Sequence, residues 1–211
     1  MRREVILWDL DGVLVRTEDL YFRATRDVLL CLDVELDRAT YHQQFLRELF
    51  DPLRDALRQR NLDSLFLDLH GRRLRRYLDL LAQEDIAVDG VTETLQALAN
   101  TYAMGVVTGS KREQVEVVRA RADFFHLFEF VVVREDVPAT KPDPAPYLEG
   151  IRRSGLGAAA CLAIEDSERG LRSARAAGLD CWVIPNGLTR GADFGGAGRL
   201  IHDIRDLARL L

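Results

Sequence analysis

Cysteine and lysine are scarce in this chain of 211 residues, and it contains no long apolar run. The three cysteines, Cys31, Cys161 and Cys181, are an odd number with no CxxC spacing, and each lies among apolar neighbours. They predict buried thiols in a reducing cytoplasm and argue against a catalytic cysteine. No apolar run has the length of a membrane span. Acidic residues interrupt residues 1–20, which therefore do not have the pattern of a signal peptide.

Acidic residues slightly outnumber basic ones, with 34 Asp and Glu against 29 Lys and Arg. The formal net charge is −5, which gives no electrostatic reason to expect nucleic acid as a partner. Hydrophobic residues make up 47% and charged residues 30%, as is ordinary for a soluble globular protein. We expect a monomer or a homodimer with no membrane partner. Lys111 and Lys141 are the only lysines, and all other Lys/Arg positions are arginine, so each lysine is easier to interpret.

Short apolar runs alternate with helical patterns over most of the chain. Val5–Trp8 is such a run, as expected of a strand buried on both faces of a parallel sheet. From Ile86 onward the alternation predicts an α/β fold with a doubly wound parallel sheet and ligands at the carboxyl ends of its strands. Further strands are predicted at Met104–Val107, Phe128–Val133, Cys161–Ile164 and Cys181–Ile184, and helices at about Lys111–Ala122, Pro144–Arg153 and Glu168–Ala177.

Residues 16–85 have a purely helical pattern. One helical face is defined by apolar residues at every fourth position, namely Leu20, Ala24, Val28 and Leu32. Further helices are predicted at Arg38–Leu49, Leu53–Arg60 and Leu65–Gln83, as in a small antiparallel bundle. We therefore expect two domains, an α/β core of residues 1–15 and 86–211 and an inserted all-helical domain of residues 16–85.

Two carboxylates stand directly after the first strand. Asp9 ends the apolar run and Asp11 follows, and alternate residues of an extended chain point the same way, so both can face one crevice. Burying them without a partner is costly, and a Mg²⁺ ion, which prefers oxygen ligands, would relieve their repulsion. Gly12 lets the backbone approach a ligand closely. The alternative is a strand-ending turn with solvated aspartates, since Asp-Gly is a common turn pair.

The next predicted strand ends at Thr108-Gly109-Ser110. A hydroxyl beside exposed amides at a helix N-terminus suits an anion. Ser110 with Glu113 has the spacing of a capping box. Plain capping is the alternative for Thr108 and Ser110, and the two roles are compatible.

Lys141 and the pair Glu165-Asp166 follow the third and fourth of these strands. Pro142 and Pro144 stiffen the loop of Lys141, so this lysine would be held in place, and a surface lysine is the alternative. For the acidic pair the alternative is a solvated helix start. Together the four strand ends place acidic oxygens opposite a cation and hydroxyl donors, a composition that suits Mg²⁺ and a phosphoryl group.

Four motifs thus occur in order: Asp9-Leu10-Asp11-Gly12-Val13, Val107-Thr108-Gly109-Ser110, Lys141-Pro142 and Ile164-Glu165-Asp166-Ser167. They closely resemble those of the haloacid-dehalogenase-like superfamily of phosphohydrolases, over essentially the whole chain. The resemblance implies a Rossmann-like core in which residues 16–85 form a small helical cap. The later portion is similar to the β-phosphoglucomutase and phosphoglycolate-phosphatase branch, and Pro185–Thr189 with Ala192–Phe194 is similar to sugar-phosphate phosphatases there.

The resemblance implies that Asp9 is a nucleophile forming an aspartyl-phosphate and that Asp11 acts as general acid and then as base. Dehalogenases of the superfamily lack the second aspartate, so Asp11 favours phosphoryl transfer. Phosphonate-cleaving relatives use a cap lysine, and Val15–Gln83 contains none. By the same resemblance Mg²⁺ would be held by Asp9, the backbone carbonyl of Asp11, Asp166 and, directly or through a neighbour, Glu165, and the phosphoryl group by Thr108, Gly109 and Lys141.

We therefore expect a cytoplasmic Mg²⁺-dependent phosphatase for a small phosphorylated metabolite such as a sugar phosphate. The first alternative is a phosphomutase of the β-phosphoglucomutase type, which the same core residues would serve, and the second is a non-catalytic phosphometabolite-binding protein. Arg16 stands where relatives often have an acidic residue, which puts cap movement or substrate preference in question, not the chemical step. Substrate selection is expected in the cap, where the preferred candidate is Arg47 and the others are Tyr41, His42, Arg72 and Arg73.

Overall fold

The computed structural model describes residues 4–41, 51–187 and 189–211. The chain divides into two compact units, one made of Met1–Arg16 and Ile86–Leu211 and the other of Thr17–Asp85. The described strands are β1 (Val5–Trp8), β2 (Ala103–Val107), β3 (Phe130–Val132), β4 (Cys161–Glu165), β5 (Asp180–Val183) and β6 (Arg199–Leu200). The described α-helices are α1 (Glu18–Leu30), α2 (Arg38–Tyr41), α3 (Pro52–Gln59), α4 (Phe66–Gln83), α5 (Val91–Ala99), α6 (Arg112–Arg119), α7 (Ala145–Ser154), α8 (Glu168–Ala176) and α9 (Leu207–Leu210).

The first unit is built on a parallel sheet. Its strand order is β3-β2-β1-β4-β5-β6, and every neighbouring pair is parallel. The chain winds outward from β1 to β3 and then crosses to the other side of β1, where it continues with β4. The α/β, doubly wound prediction is confirmed. The change of winding direction brings the carboxyl ends of β1, β2 and β4 side by side, which is where such sheets bind ligands.

β1 lies at the centre of this sheet because all of its side chains are apolar. Its four residues are buried, and burying a large apolar side chain stabilises the fold by roughly 1.5–3 kcal/mol. Val5 and Leu7 belong to one core cluster, since alternate residues of a strand share a face. Trp8 aligns with Val106 of β2 and Ile164 of β4. Asp9 therefore emerges beside the last residues of both neighbouring strands.

Some predicted boundaries are wrong. α6 ends at Arg119, and the chain then enters a 3-10 turn at Asp123–Leu127, whose phenylalanines are buried. β3 has three residues instead of the predicted six. β6 is missing from the prediction because its two residues are exposed and give no apolar signal. Cys161 and Cys181 are buried as predicted, but Cys31 is exposed because it lies just past the end of α1.

In the second unit the regular elements of the described residues are all helical, namely α1 to α4 and a 3-10 turn at Asp63–Leu65. Its core includes Phe22, Leu29, Tyr41, Leu53 and Leu57. α1 ends at Leu30, so the predicted helical face does not extend to Leu32. Of the predicted helix Arg38–Leu49 the part up to Tyr41 is helical, and the remainder lies outside the described residues.

A buried ion pair joins two elements of the second unit. Nη1 and Nη2 of Arg73, on α4, donate to Oδ1 and Oδ2 of Asp51 at 2.6 and 2.9 Å. The Asp51 carboxylate also caps α3 by accepting from the backbone N–H of Leu53. The guanidinium is only 1% exposed, so it depends on this carboxylate for its neutralisation. A separate finding is that no helix among the described residues is both long enough and apolar enough to cross a membrane.

Candidate active site

Lys141 connects the ends of three strands. Its Nζ donates to Oδ1 of Asp9 at 2.6 Å, to Oε1 of Glu165 at 2.6 Å and to the carbonyl oxygen of Val107 at 2.8 Å. Each N–H bond of the ammonium group has an acceptor, and the residue is only 9% exposed. The alternative of a surface lysine is therefore wrong. Burial by itself lowers the pKa of Lys141, but the charges of Asp9 and Glu165 raise it by more, so the pKa lies above its ordinary value.

An acidic cluster surrounds this lysine. Asp9, Glu165 and Asp166 each offer a carboxylate oxygen, and these oxygens all lie within 4.8 Å of one another. Burial, followed by the charge of Glu165, raises the pKa of Asp9 to about 7, although Lys141 lowers it. Burial and the charge of Asp9 also raise the pKa of Asp166 well above its ordinary value. Three buried carboxylates with one ammonium group leave an excess of negative charge, and such a set of oxygens fits a divalent cation.

Glu165 differs from the other two acids because its hydrogen-bonding capacity is already used. Oε1 accepts from Lys141 and, at 2.7 Å, from the hydroxyl of Tyr147. Oε2 accepts from the backbone N–H of Asp166 and from the hydroxyl of Ser167, both at 3.2 Å. The residue is completely buried, and a Cβ at position 170 would lie 2.0 Å from its carboxylate. Glu165 is thus fixed by its surroundings and in turn fixes Lys141.

The loop after β1 approaches the acidic cluster through Gly12. This residue has φ +91°, which favours glycine, and a Cβ there would lie 2.2 Å from Oδ2 of Asp166. Its N–H donates to the carbonyl oxygen of Val15 at 2.8 Å, which closes the loop. The absence of a side chain is therefore what lets this loop and the end of β4 lie together.

Asp11 is held by the residues after β2. Its Oδ2 accepts from the hydroxyl of Ser110 at 2.7 Å and from that of Thr108 at 3.1 Å. Its carboxylate is not a member of the acidic cluster formed by the described residues. Both hydroxyls donate to it, so they fix the direction of the carboxylate. The contribution of its backbone carbonyl to metal binding stays a prediction.

The capping box predicted for Ser110 and Glu113 is wrong. The residue before α6 is Lys111, and its backbone N–H donates to Oε1 of Gln114 at 2.8 Å. The helix starts one residue later than the predicted box requires, and the Ser110 hydroxyl is directed to Asp11 instead. Gly109 is exposed, with no other atom within 4 Å of a Cβ built on it. That opening is compatible with a phosphoryl group, and the role of Gly109 in binding one stays a prediction.

Sequence reasoning missed two residues that contact the acids. Tyr147 of α7 donates to Glu165, and its ring centre lies 5.0 Å from Nζ of Lys141. Its position in a helix predicts only a core aromatic residue. Asn186, in the loop after β5, donates from Nδ2 to Oδ2 of Asp166 at 2.7 Å. The position of Asn186 shortly after a buried strand is the feature of the sequence that could have indicated a site residue.

The candidate substrate residues of the helical unit have varied positions. Arg47 and His42 lie outside the described residues. Tyr41 is buried and donates to Glu18, and Arg73 is buried in its pair with Asp51. Arg72 is exposed. The contacts of Tyr41 and Arg73 give them structural roles within their own unit.

The family profile described as "Haloacid dehalogenase-like hydrolase" matches residues 6–184. The chain belongs to this family, and it is an enzyme of the family's phosphatase type. Among its relatives, protein CbbY from Rhodobacter capsulatus is 33% identical over 217 residues, which cover 97% of this chain and 95% of the relative. Hexitol phosphatase B from Escherichia coli (strain K12) is 27% identical over 183 residues, covering 85% and 82%. A solved structure of a CbbY variant from Rhodobacter sphaeroides in complex with xylulose-(1,5)bisphosphate has a TM-score of 0.80 and 25% identity, covering 97% of this chain and 96% of that one.

Proposed function

We propose that this protein is a Mg²⁺-dependent phosphatase that hydrolyses a small phosphorylated metabolite of the sugar-phosphate class through an aspartyl-phosphate on Asp9. The observation that carries the proposal is the buried Lys141 between Asp9 and Glu165, with Asp166 beside them. A lysine paired with a potential nucleophile inside an acidic cluster is costly to build and suits the handling of a phosphoryl group. The substrate class is supported by the hexitol phosphatase and by the sugar bisphosphate bound to CbbY.

The reaction would have two halves. In the first, a carboxylate oxygen of Asp9 forms a bond to phosphorus while the bond to the leaving oxygen breaks, and protonated Asp11 gives its proton to that oxygen. In the second, Asp11 takes a proton from water, the water oxygen attacks phosphorus, and the bond to Asp9 breaks, which releases inorganic phosphate. Thr108 and Ser110 would hold Asp11 in place, and the amide of Gly109 would help to bind the phosphoryl oxygens.

The acidic cluster fits Mg²⁺, for which Asp9, Asp166 and the backbone carbonyl of Asp11 are the proposed ligands. When bound, the ion would supply positive charge that offsets the repulsion between two anions, the nucleophile and the substrate. Glu165 already accepts hydrogen bonds at both oxygens, so we assign to it the orientation of Lys141, not direct contact with the ion. Each N–H bond of Lys141 already has an acceptor, so Lys141 would pair with the phosphoryl oxygens in exchange for its contact with Asp9.

We also propose that the helical unit, Thr17–Asp85, is a cap that selects the substrate, with Arg47 as the candidate contact. The inserted position of this unit between β1 and the rest of the first unit supports that role. The three cysteines are free thiols, which supports a reducing cytoplasm as the compartment.

The test is a panel of phosphorylated sugars and polyols assayed for release of inorganic phosphate with Mg²⁺ and with chelator. We expect Mg²⁺-dependent release by the natural protein and by Asp123→Asn, a control at an exposed position, and none by Asp9→Asn with unchanged circular dichroism. Acid quenching should trap a phosphorylated Asp9 peptide, visible by mass spectrometry. Release by Asp9→Asn at the natural rate would remove the nucleophile. Conversion of β-glucose 1-phosphate into glucose 6-phosphate without release of phosphate would favour the mutase instead.

A further inference from the structure

We infer that Asn186, in the loop after β5, is a positioning residue that fixes the carboxylate of Asp166 for cation binding. The inference rests on the proposed function, because it takes Asp166 as a metal ligand. Nδ2 of Asn186 lies 2.7 Å from Oδ2 of Asp166 and 3.5 Å from the carbonyl oxygen of Gly12. Asn186 thus joins the loop after β5 to the ends of β4 and β1.

The orientation of the Asn186 amide is determined by its other neighbours. The backbone N–H of Thr189 donates to Oδ1 of Asn186 at 3.2 Å, and the backbone N–H of Asn186 donates to the Thr189 hydroxyl at 3.1 Å. A backbone N–H can only donate, so Oδ1 must face Thr189 and the NH₂ group must face Asp166. The loop therefore presents a donor to the Asp166 carboxylate. The opposite flip of the amide would break its contact with Asp166 and its contact with the Thr189 N–H.

A neutral donor suits this position better than a charged one. The charges of Arg169 and Lys141 already act on Asp166 from nearby, and a cation in direct contact with its carboxylate would compete with a metal ion. The amide of Asn186 restricts rotation of the Asp166 carboxylate without cancelling its charge. Hydrogen-bond partners of metal ligands typically change metal affinity about 10–100-fold when they are removed.

The space for this contact is provided by Gly12. A Cβ at that position would lie 2.2 Å from Oδ2 of Asp166 and 2.8 Å from Nδ2 of Asn186. The glycine therefore accommodates both partners of the hydrogen bond. The carbonyl oxygen of Gly12, the residue after Asp11, also lies within hydrogen-bonding distance of the Asn186 amide. The side chain of Asn186 therefore contacts both the proposed metal ligand Asp166 and the loop that follows Asp9.

The test measures Mg²⁺ binding directly, by titration calorimetry on the full chain without substrate. Asn186→Ala is expected to weaken binding about 10-fold or more, as other partners of metal ligands do. The unfolding free energy of the metal-free protein should fall by about 0.5–1.5 kcal/mol, the usual contribution of one hydrogen bond. Asn186→Ser is a second variant, which keeps a hydroxyl that can cap the turn and removes the NH₂ group. The control is Asn100→Ala, at the exposed end of α5.

The outcomes separate the inference from the function beneath it. Binding by Asn186→Ala and Asn186→Ser as tight as that of the natural protein overturns the role of Asn186 and leaves the phosphatase standing. A metal-free Asn186→Ala protein that is partly unfolded at the temperature of the titration also overturns it, because the loss of affinity would then follow from the loss of the fold. If the natural protein binds no Mg²⁺, the proposed metal centre fails and the inference fails with it. Activity of the variants that returns at saturating Mg²⁺ supports positioning, because the defect is then in metal affinity.

Discussion

Lys141→Met removes the ammonium group that two buried carboxylates share. Methionine keeps an unbranched side chain of similar length, so the change acts mainly on charge and hydrogen bonding. Asp9 and Glu165 would then face each other without a counter-ion, in a place where Lys141 itself is 9% exposed. Leaving a buried charge without its partner costs about 3–5 kcal/mol. With a urea dependence of roughly 2–3 kcal/mol/M, the unfolding midpoint should fall by roughly 1–2.5 M.

The assay is urea unfolding in the presence of chelator, followed by tryptophan fluorescence. Both tryptophans, Trp8 and Trp182, are buried in strands of the first unit, so the signal reports the unit that contains Lys141. The matched control is Lys111→Met, at the other lysine of the chain, which is exposed. This control should change the unfolding free energy by no more than about 0.5 kcal/mol.

A second variant tests the cause of the loss. Adding Asp9→Asn to Lys141→Met removes one of the two facing charges, so the double variant should be more stable than Lys141→Met alone. The reasoning is refuted if Lys141→Met unfolds at the midpoint of its control. It is also refuted if the double variant loses stability additively, because the two changes would then act independently.

Two further predictions follow from the geometry of each unit. Gly12→Ala should reduce phosphate release about 100-fold or more, because a Cβ 2.2 Å from Oδ2 of Asp166 must displace that carboxylate. The control Gly157→Ala, where a Cβ meets no other atom within 4 Å, should keep the natural rate. Equal rates for the two variants would contradict the close approach of Gly12 to Asp166. For Asp51, burial raises the pKa, but the hydrogen bond and charge of Arg73 lower it by more, so the pKa lies below its ordinary value. A carboxyl group whose pKa is lowered by folding stabilises the folded state at pH values above its ordinary pKa of about 4. This stabilisation is lost as the pH falls through the pKa of the folded state. Asp51→Asn should therefore destabilise the protein most at neutral pH and progressively less below about pH 4. Urea unfolding followed by circular dichroism from pH 7 to pH 3 measures this, and a difference independent of pH would contradict it.

The fold could be predicted because its signals are local. Val5–Trp8 is apolar throughout, a pattern that favours a strand buried on both faces of a parallel sheet. The acids at the ends of β1 and β4 were also visible, since a carboxylate directly after a buried strand is unusual in sequence and in energy. Their convergence followed from the rule that parallel strands place their carboxyl ends at one edge of the sheet.

The remaining contacts could not be predicted because they join distant parts of the chain. Nothing around Tyr147 indicates that its hydroxyl reaches Glu165, and the place of Asn186 shortly after a buried strand does not identify Asp166 as its partner. The Ser110 hydroxyl has a suitable capping distance along the chain, but Asp11 competes for it from another strand end and obtains it. Local spacing describes the possible partners of a polar group, whereas the fold decides among them.

The central position of β1 has a consequence for synthesis on the ribosome. β1 is made before both of its neighbours, so this wholly apolar strand has no pairing partner until Ala103–Val107 has emerged and no second one until Cys161–Glu165 has. An unpaired apolar strand is open to association with other chains, which makes this interval the period of greatest demand on chaperones. Asp9 is likewise made long before Lys141, so the nascent chain carries the proposed nucleophile before the lysine that pairs with it.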